Sequence, residues 1–337
     1  MPSSVHQSQK FFPPYAGNAC GRLILLCLLC AFSVTRVHAQ ESRAATAASY
    51  LERGNQWFAK GEYARAEADF ALAIATDSSQ AGAYYNRATT RYRLGKLPEA
   101  RADLDRALQL NPRLVAAYSD RGGLRYAQGD FDGAIQDCDK ALELNPKLAM
   151  AWAVRGLARG SNGDHAGALS DFDRAIQIDR RNAGFYNNRG VAHSRLGDYE
   201  AALNDQNRAL KLKPDFAEAF NDRGAARQFK GDLDGAMTDY NQAIRLNPHF
   251  ADVWFSRATL WQRKEKWAHA EADFTEYIAL KPHHANAYGQ RGVMRLRLGR
   301  ADEAQQDFAQ CLKLNPNLQD SLRQLIEEVK QEMAKKP

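Results

Sequence analysis

From Ala47 onward, apolar residues recur three and four apart, the spacing of a helix face buried on one side. Each run lasts about a dozen residues and breaks at a short polar turn, usually one containing Gly. The runs come in pairs. Segments beginning at Ala47, Ala81, Val115, Ala149, Ala183, Ala217, Ala251 and Ala285 fall into register without insertion or deletion. They give eight units of 34 residues: 47–80, 81–114, 115–148, 149–182, 183–216, 217–250, 251–284 and 285–318. With unit positions numbered 1–34, position 4 is aromatic throughout: Tyr50, Tyr84, Tyr118, Trp152, Tyr186, Phe220, Trp254 and Tyr288. Position 8 is Gly or Ala in every unit, and position 20 is always Ala.

Positions 4, 8 and 11 share one helical stripe, and positions 20, 24 and 27 share another. Small residues at 8, 20 and 27 let two helix axes approach, while the aromatic at 4 fills the space beside them. Gly at position 15 in seven units ends the first helix, because it tolerates the left-handed conformation. Asp130, Asp164, Asp198 and Asp232, at position 16, are placed to cap the second helix. Pro at position 32 in six units stops it. Each unit therefore reads as a helix–turn–helix hairpin that needs a neighbour to bury its apolar faces.

This pattern of aromatic 4, small 8, Ala 20, Ala 27 and Pro 32 resembles the tetratricopeptide repeats, as does the period. The resemblance spans 272 of 337 residues. It implies an all-α, right-handed superhelical solenoid, with first helices lining a concave groove and second helices forming the back. It also implies a family that mostly binds peptides or proteins and does not itself catalyse. Residues 319–337 make no ninth unit. Leu322, Leu325, Ile326, Val329 and Met333 follow helical spacing there, which predicts a C-terminal capping helix whose Lys335 and Lys336 complement its dipole.

The first 39 residues have a different character. They hold Lys10, Arg22 and Arg36, no acidic residue, and the run LILLCLLCAFSV from Leu23 to Val34. With Val37-His38-Ala39 as the exit, this predicts a signal peptide cleaved before Gln40, a short linker over 40–46, and an exported chain that is periplasmic or secreted. The alternative is a membrane anchor formed by residues 23–34, although twelve apolar residues cover only ~18 Å of a ~30 Å hydrocarbon core. Removing the leader lowers the formal charge from +6 to +3. The remaining charges are interspersed, which argues against a nucleic-acid partner. Cys138 and Cys311, five repeats apart at core positions, are expected to be buried free thiols.

Two charged positions recur in every unit. Position 7 is Arg53, Arg87, Arg121, Arg155, Arg189, Arg223, Arg257 and Arg291. Position 23 is Asp69, Asp103, Asp137, Asp171, Asp205, Asp239, Asp273 and Asp307. Since every Arg comes with its own counter-charge, these are expected to form one structural ion pair per repeat. The competing reading is an Arg ladder that grips phosphate or carboxylate ligands. Position 11 is Arg in five units, where its stem can replace aromatic packing while its head reaches a carboxylate.

The resemblance places groove-facing side chains chiefly at positions 2, 5, 9, 12 and 13, with 6 at the edge. The candidates are Phe58, Tyr85, Tyr92 and Tyr126 near the N-terminus, then Asn187, Asn188, Arg195, Asn221 and Asp222. Phe229, Phe255, Arg263 and Arg297 follow toward the C-terminus. Rings flanking an amide ladder suit an extended peptide. No Lys pair stands where some family members clamp a C-terminal carboxylate. No catalytic constellation, metal-ligand set, phosphate-binding loop or cofactor motif is present.

The sequence thus predicts a non-enzymatic scaffold for a protein or peptide partner, without cofactor. Alternatives are an accessory subunit positioning a cell-envelope or polysaccharide enzyme, or an anionic-glycan-binding protein. Unit four, with Gly156, Gly160, Gly163 and Gly167 and with Arg180 in place of the terminating Pro, is expected to open locally over residues 156–182.

Overall fold

A computed structural model describes residues 42–335, so the expected leader and Lys336 lie outside the described residues. Helix α1 spans 42–59. It is followed by α2 (Tyr63–Thr76), α3 (Ala81–Arg93), α4 (Leu97–Leu110), α5 (Val115–Ala127) and α6 (Phe131–Leu144). Next come α7 (Ala149–Ser161), α8 (His165–Ile178), α9 (Ala183–Arg195), α10 (Tyr199–Leu212), α11 (Ala217–Lys230) and α12 (Leu233–Leu246). Then follow α13 (Ala251–Arg263), α14 (Trp267–Leu280), α15 (Ala285–Arg297), α16 (Ala301–Leu314), a 3-10 turn (Pro316–Leu318) and α17 (Gln319–Lys335). All regular structure among the described residues is helical, and none of these helices is long and apolar enough to cross a membrane.

The unit boundaries follow local chemistry. The seven turn glycines, from Gly61 to Gly299, all adopt positive φ between 75° and 88°. Unit seven makes the same turn with Glu265 at φ 55°. Asp130, Asp164, Asp198 and Asp232 each accept a hydrogen bond from the backbone N–H three residues on, satisfying a donor that the helix start leaves open.

The second helix of unit four ends as those of several other units do, although Arg180 stands where six units have Pro. The side chain of Asp179 accepts the Arg181 N–H at 2.9 Å, as Asn111, Asn145, Asn247 and Asn315 do in their units. In these units the stop comes with a local Asx turn, whereas units five and seven have Lys213 and Lys281 at that place and stop before Pro214 and Pro282. At the other end, α1 starts inside the segment expected to be a linker. The Ala-rich stretch around Ala44 to Ala48 favours helix, and Thr46 donates to the Ser42 carbonyl.

The chain divides into two compact units, one ending at Ala117 and one starting at Tyr118. In the first unit α3 packs against both α2 and α4; in the second, α7, α9, α11, α13 and α15 each pack against the second helix of their own hairpin and against the second helix of the hairpin before. Within the second unit, first helices also touch one another (α7 with α9, α9 with α11, α11 with α13), which makes the first-helix face the inner one. Position 8 sets the approach. A Cβ at Gly224 would lie 2.7 Å from the Tyr240 ring, and one at Gly122 would lie 3.0 Å from the Cys138 sulfur. Cys138 and Cys311 are buried free thiols. At the C-terminal end, Leu322 and Val329 of α17 join Val293, Met294, Phe308 and Cys311 in one apolar cluster, closing the last hairpin.

Candidate functional site

The Arg and Asp of each repeat form a bidentate pair in all eight units. Nε donates to one carboxylate oxygen at 2.6–3.0 Å and Nη2 to the other at 2.5–2.7 Å. All eight Asp are buried. The guanidinium also lies over the ring at position 4, with its carbon 4.6–5.7 Å from the ring centroid. At position 11, Arg91, Arg125, Arg159, Arg227 and Arg295 bring a second guanidinium to the same Asp at 2.8–3.2 Å. The hydrogen bond to Asp205 is the main cause that raises the pKa of Arg189, outweighing the opposing effect of burial. These heads are held between the two helices of a hairpin, so they offer no row of unpaired cations to a ligand.

The position-7 Arg has a further role that the sequence reading missed. In units four to seven its Nη1 reaches position 25 of the preceding unit. Arg155 contacts Asp139 at 2.5 Å, Arg189 contacts Asp173 at 2.6 Å, Arg223 contacts Asn207 and Arg257 contacts Asn241, both at 2.7 Å. The signal was present as a polar residue recurring at position 25, but it varies in type between acid, amide and hydroxyl.

The groove candidates fall into three groups. Some are spent on packing. Phe255 meets Phe274, Tyr277 and His284 edge-on; it is half-buried and lines a cavity of about 250 Å³ with Asn286, Gln290 and Ser321. Arg297 lies over Trp267 and donates to Glu332 of α17, so it too is engaged within the fold. Phe58 packs edge-on against Tyr63, with its ring centroid 5.3 Å away.

A second group binds itself. Asn187 donates to Asp222 at 2.9 Å across a repeat boundary, and Asn221 donates to the other carboxylate oxygen at 3.2 Å. The amide oxygens of Asn187 and Asn221 are buried without a hydrogen-bond partner. Enclosure by its neighbours pushes the Asp222 carboxyl up to about 6, although it stays partly open to solvent on the inner face. The two amide donors and the charge of Arg195 oppose that rise without cancelling it.

The third group is available. Tyr92 and Phe229 are exposed, with Phe229 stacked flat on Tyr199. Arg263 donates to the Gln228 carbonyl but its side chain is exposed. Tyr85 is half-buried and also engaged within the fold. Tyr126, Asn188 and Arg195 line a cavity of about 440 Å³ between α7, α8 and α9. Its other walls include Gly156, Leu157, Gly160, His165, Phe172 and Val191. No group of His, Cys, Asp and Glu among the described residues could hold a metal ion.

Residues 85–149, 183–216 and 285–318 match families described as tetratricopeptide repeat, and residues 230–264 match one described as TPR repeat. The chain belongs to the tetratricopeptide repeat family. Its helix pairs resemble a tetratricopeptide repeat protein from Parabacteroides merdae ATCC 43184, with a TM-score of 0.63 at 18% identity over 74% of this chain and 99% of that one. They also resemble a chain of the APC/C hetero-tetramer Cut9-Hcn1, at 0.62 and 17% identity over 82% of this chain and 55% of the other. Pseudomonas aeruginosa pilF gives 0.53 and 22% identity over 60% of this chain and 92% of its own. At such identities the structural likeness speaks for fold alone. Comparison with curated proteins finds no match. Tetratricopeptide repeat proteins are protein-interaction scaffolds, and this chain is one of that class.

Proposed function

We propose that this tetratricopeptide repeat protein is an exported scaffold that holds an extended segment of a partner protein against its first-helix face. The observation that carries the reading is the contrast between the two charged systems. Every Arg of the repeated ladder is consumed by its own Asp, whereas Tyr126, Asn188, Arg195 and Phe229 on first helices keep polar or aromatic surface open. An extended chain offers alternating side chains and free backbone groups to such a face. The leader-like composition of residues 1–39 supports export and a partner in the cell envelope or outside it.

Crosslinking in cells with a photoreactive residue at Phe229, followed by identification of the attached protein, tests this reading. An exported protein crosslinked at Phe229, and not from a control position on α10, is the expected result. Crosslinks confined to cytosolic proteins would overturn the exported setting. N-terminal sequencing of the mature chain is expected to begin at Gln40, and retention of residues 1–39 would favour the anchor.

A further inference from the structure

The repeat is its own reference for what unit four lacks. Position 12 carries Phe58 in unit one and Tyr126 in unit three, and each packs on the ring at position 17 of its own unit. The centroid separations are 5.3 Å to Tyr63 and 5.7 Å to Phe131. In unit four the same two positions are Gly160 and His165. The ring is missing, and the cavity of about 440 Å³ lies at that place.

Crowding does not require the glycine. A Cβ on Gly160 would meet the Ala168 Cβ at 3.7 Å and the His165 Nδ1 at 4.0 Å, both ordinary contacts. Gly156 differs, since its Cβ would press on Phe172 at 3.0 Å. Gly156 is thus demanded by packing, while Gly160 leaves a space that its neighbours would allow to be filled.

The lining has the composition of a binding pocket: an apolar floor with a few polar groups at the rim. Leu157, Ala168, Phe172 and Val191 supply the floor. At the rim, Arg195 is exposed and its side chain makes no hydrogen bond or ion pair among the described residues. The nearest acid whose charge it influences is Asp222, which already takes hydrogen bonds from Asn187 and Asn221. Among the charged heads of this region, Arg195 is therefore the one left to meet an anionic group from outside.

We infer that the cavity of unit four receives an aromatic side chain from the partner segment, with an acidic side chain of the same segment set against Arg195. The incoming ring takes the place that Phe58 and Tyr126 occupy in their own units. This rests on the reading of the first-helix face as a partner-binding surface, and it names the chemistry that the face selects.

The test is to pan a phage-displayed library of random dodecapeptides on the purified chain. Affinities of the enriched peptides are then measured for the unaltered chain, Gly160→Tyr and Arg195→Gln. Enrichment of a Phe, Tyr or Trp beside an Asp or Glu is expected. Gly160→Tyr should weaken those peptides at least tenfold, and Arg195→Gln should weaken them severalfold and erase the preference for the acid. Replacing the peptide's aromatic residue by Ala should cost the unaltered chain the same tenfold, a measurement that stands even if Gly160→Tyr folds poorly. Enriched peptides without an aromatic residue, or equal binding to Gly160→Tyr, would sink the pocket assignment and leave the scaffold reading intact. No enrichment on the unaltered chain would sink both.

Discussion

A single rung shows how one residue can serve several neighbours. The Arg189 guanidinium gives two hydrogen bonds to Asp205, one to Asp173, and lies over the Tyr186 ring. Removing it leaves the buried Asp205 with no cation in bidentate contact, and breaking a buried pair costs ~3–5 kcal/mol. Arg189→Met is expected to lower stability within or just below that range in urea unfolding. The double variant Arg189→Met with Asp205→Leu should recover much of the loss, because an apolar pair leaves no charge unmatched. A single-variant cost under ~1 kcal/mol would mean that water screens the rung.

Asp222 predicts the opposite dependence from that of a paired carboxylate. Its folded-state value of about 6 lies above its ordinary 3.8, so the folded chain holds its proton more tightly than the unfolded chain does. The advantage of the unaltered chain over Asp222→Asn should therefore be greatest near pH 4. It should shrink as pH rises to about 6 and stay flat beyond. A pH-independent difference in unfolding midpoint between the two would count against it. Burial likewise pushes the Cys138 thiol up to about 12, and native Cys138 should resist alkylation until the chain unfolds.

At the scale of the helix, most of the fold was legible in the sequence because the local rules repeat eight times. The turn glycines, the Asp caps and the aromatic, small and Ala core positions each carry a signal that a period of 34 residues makes visible. What was not legible depends on contacts that cross units or on rotamer choice. The Asn187–Asp222 bond joins residues 35 apart and occurs once. Phe255 and Arg297 lie at groove positions, yet each is also engaged within the fold, by neighbouring rings and by Glu332 of α17.

The stop signal at Asp179 was hidden by the more conspicuous Pro of other units. Asp232→Ala, which removes a cap accepting from Gly235 at 2.9 Å, is expected to cost ~1 kcal/mol in urea unfolding. Hydrogen exchange should show the last turn of α7 and the start of α8 opening faster than the corresponding turns of α5 with α6 and α9 with α10. Equal protection would mean that the floor of the cavity is as firmly packed as its neighbours.

For the whole molecule, the repeated rung makes length a discrete quantity. Arg257 reaches back to Asn241 of unit six, and Arg223 reaches back to Asn207 of unit five. Excising residues 217–250 would bring Arg257 opposite Asn207, an amide in place of the same amide, while the back-reaching bonds Arg155–Asp139 and Arg189–Asp173 lie outside the excised segment. A shortened protein with seven hairpins is therefore expected to fold with full helicity, at the cost of links such as Asn187–Asp222, Lys230–Glu200, Lys264–Asp234 and Arg263–Gln228. Excising residues 217–233 would instead leave a second helix without its first, stranding Asp239 with neither Arg223 nor Arg227, and that chain should aggregate or remain partly unfolded by circular dichroism. The molecule can be shortened by whole repeats, as a ruler is by whole divisions, and the reach of its binding face would change in the same steps.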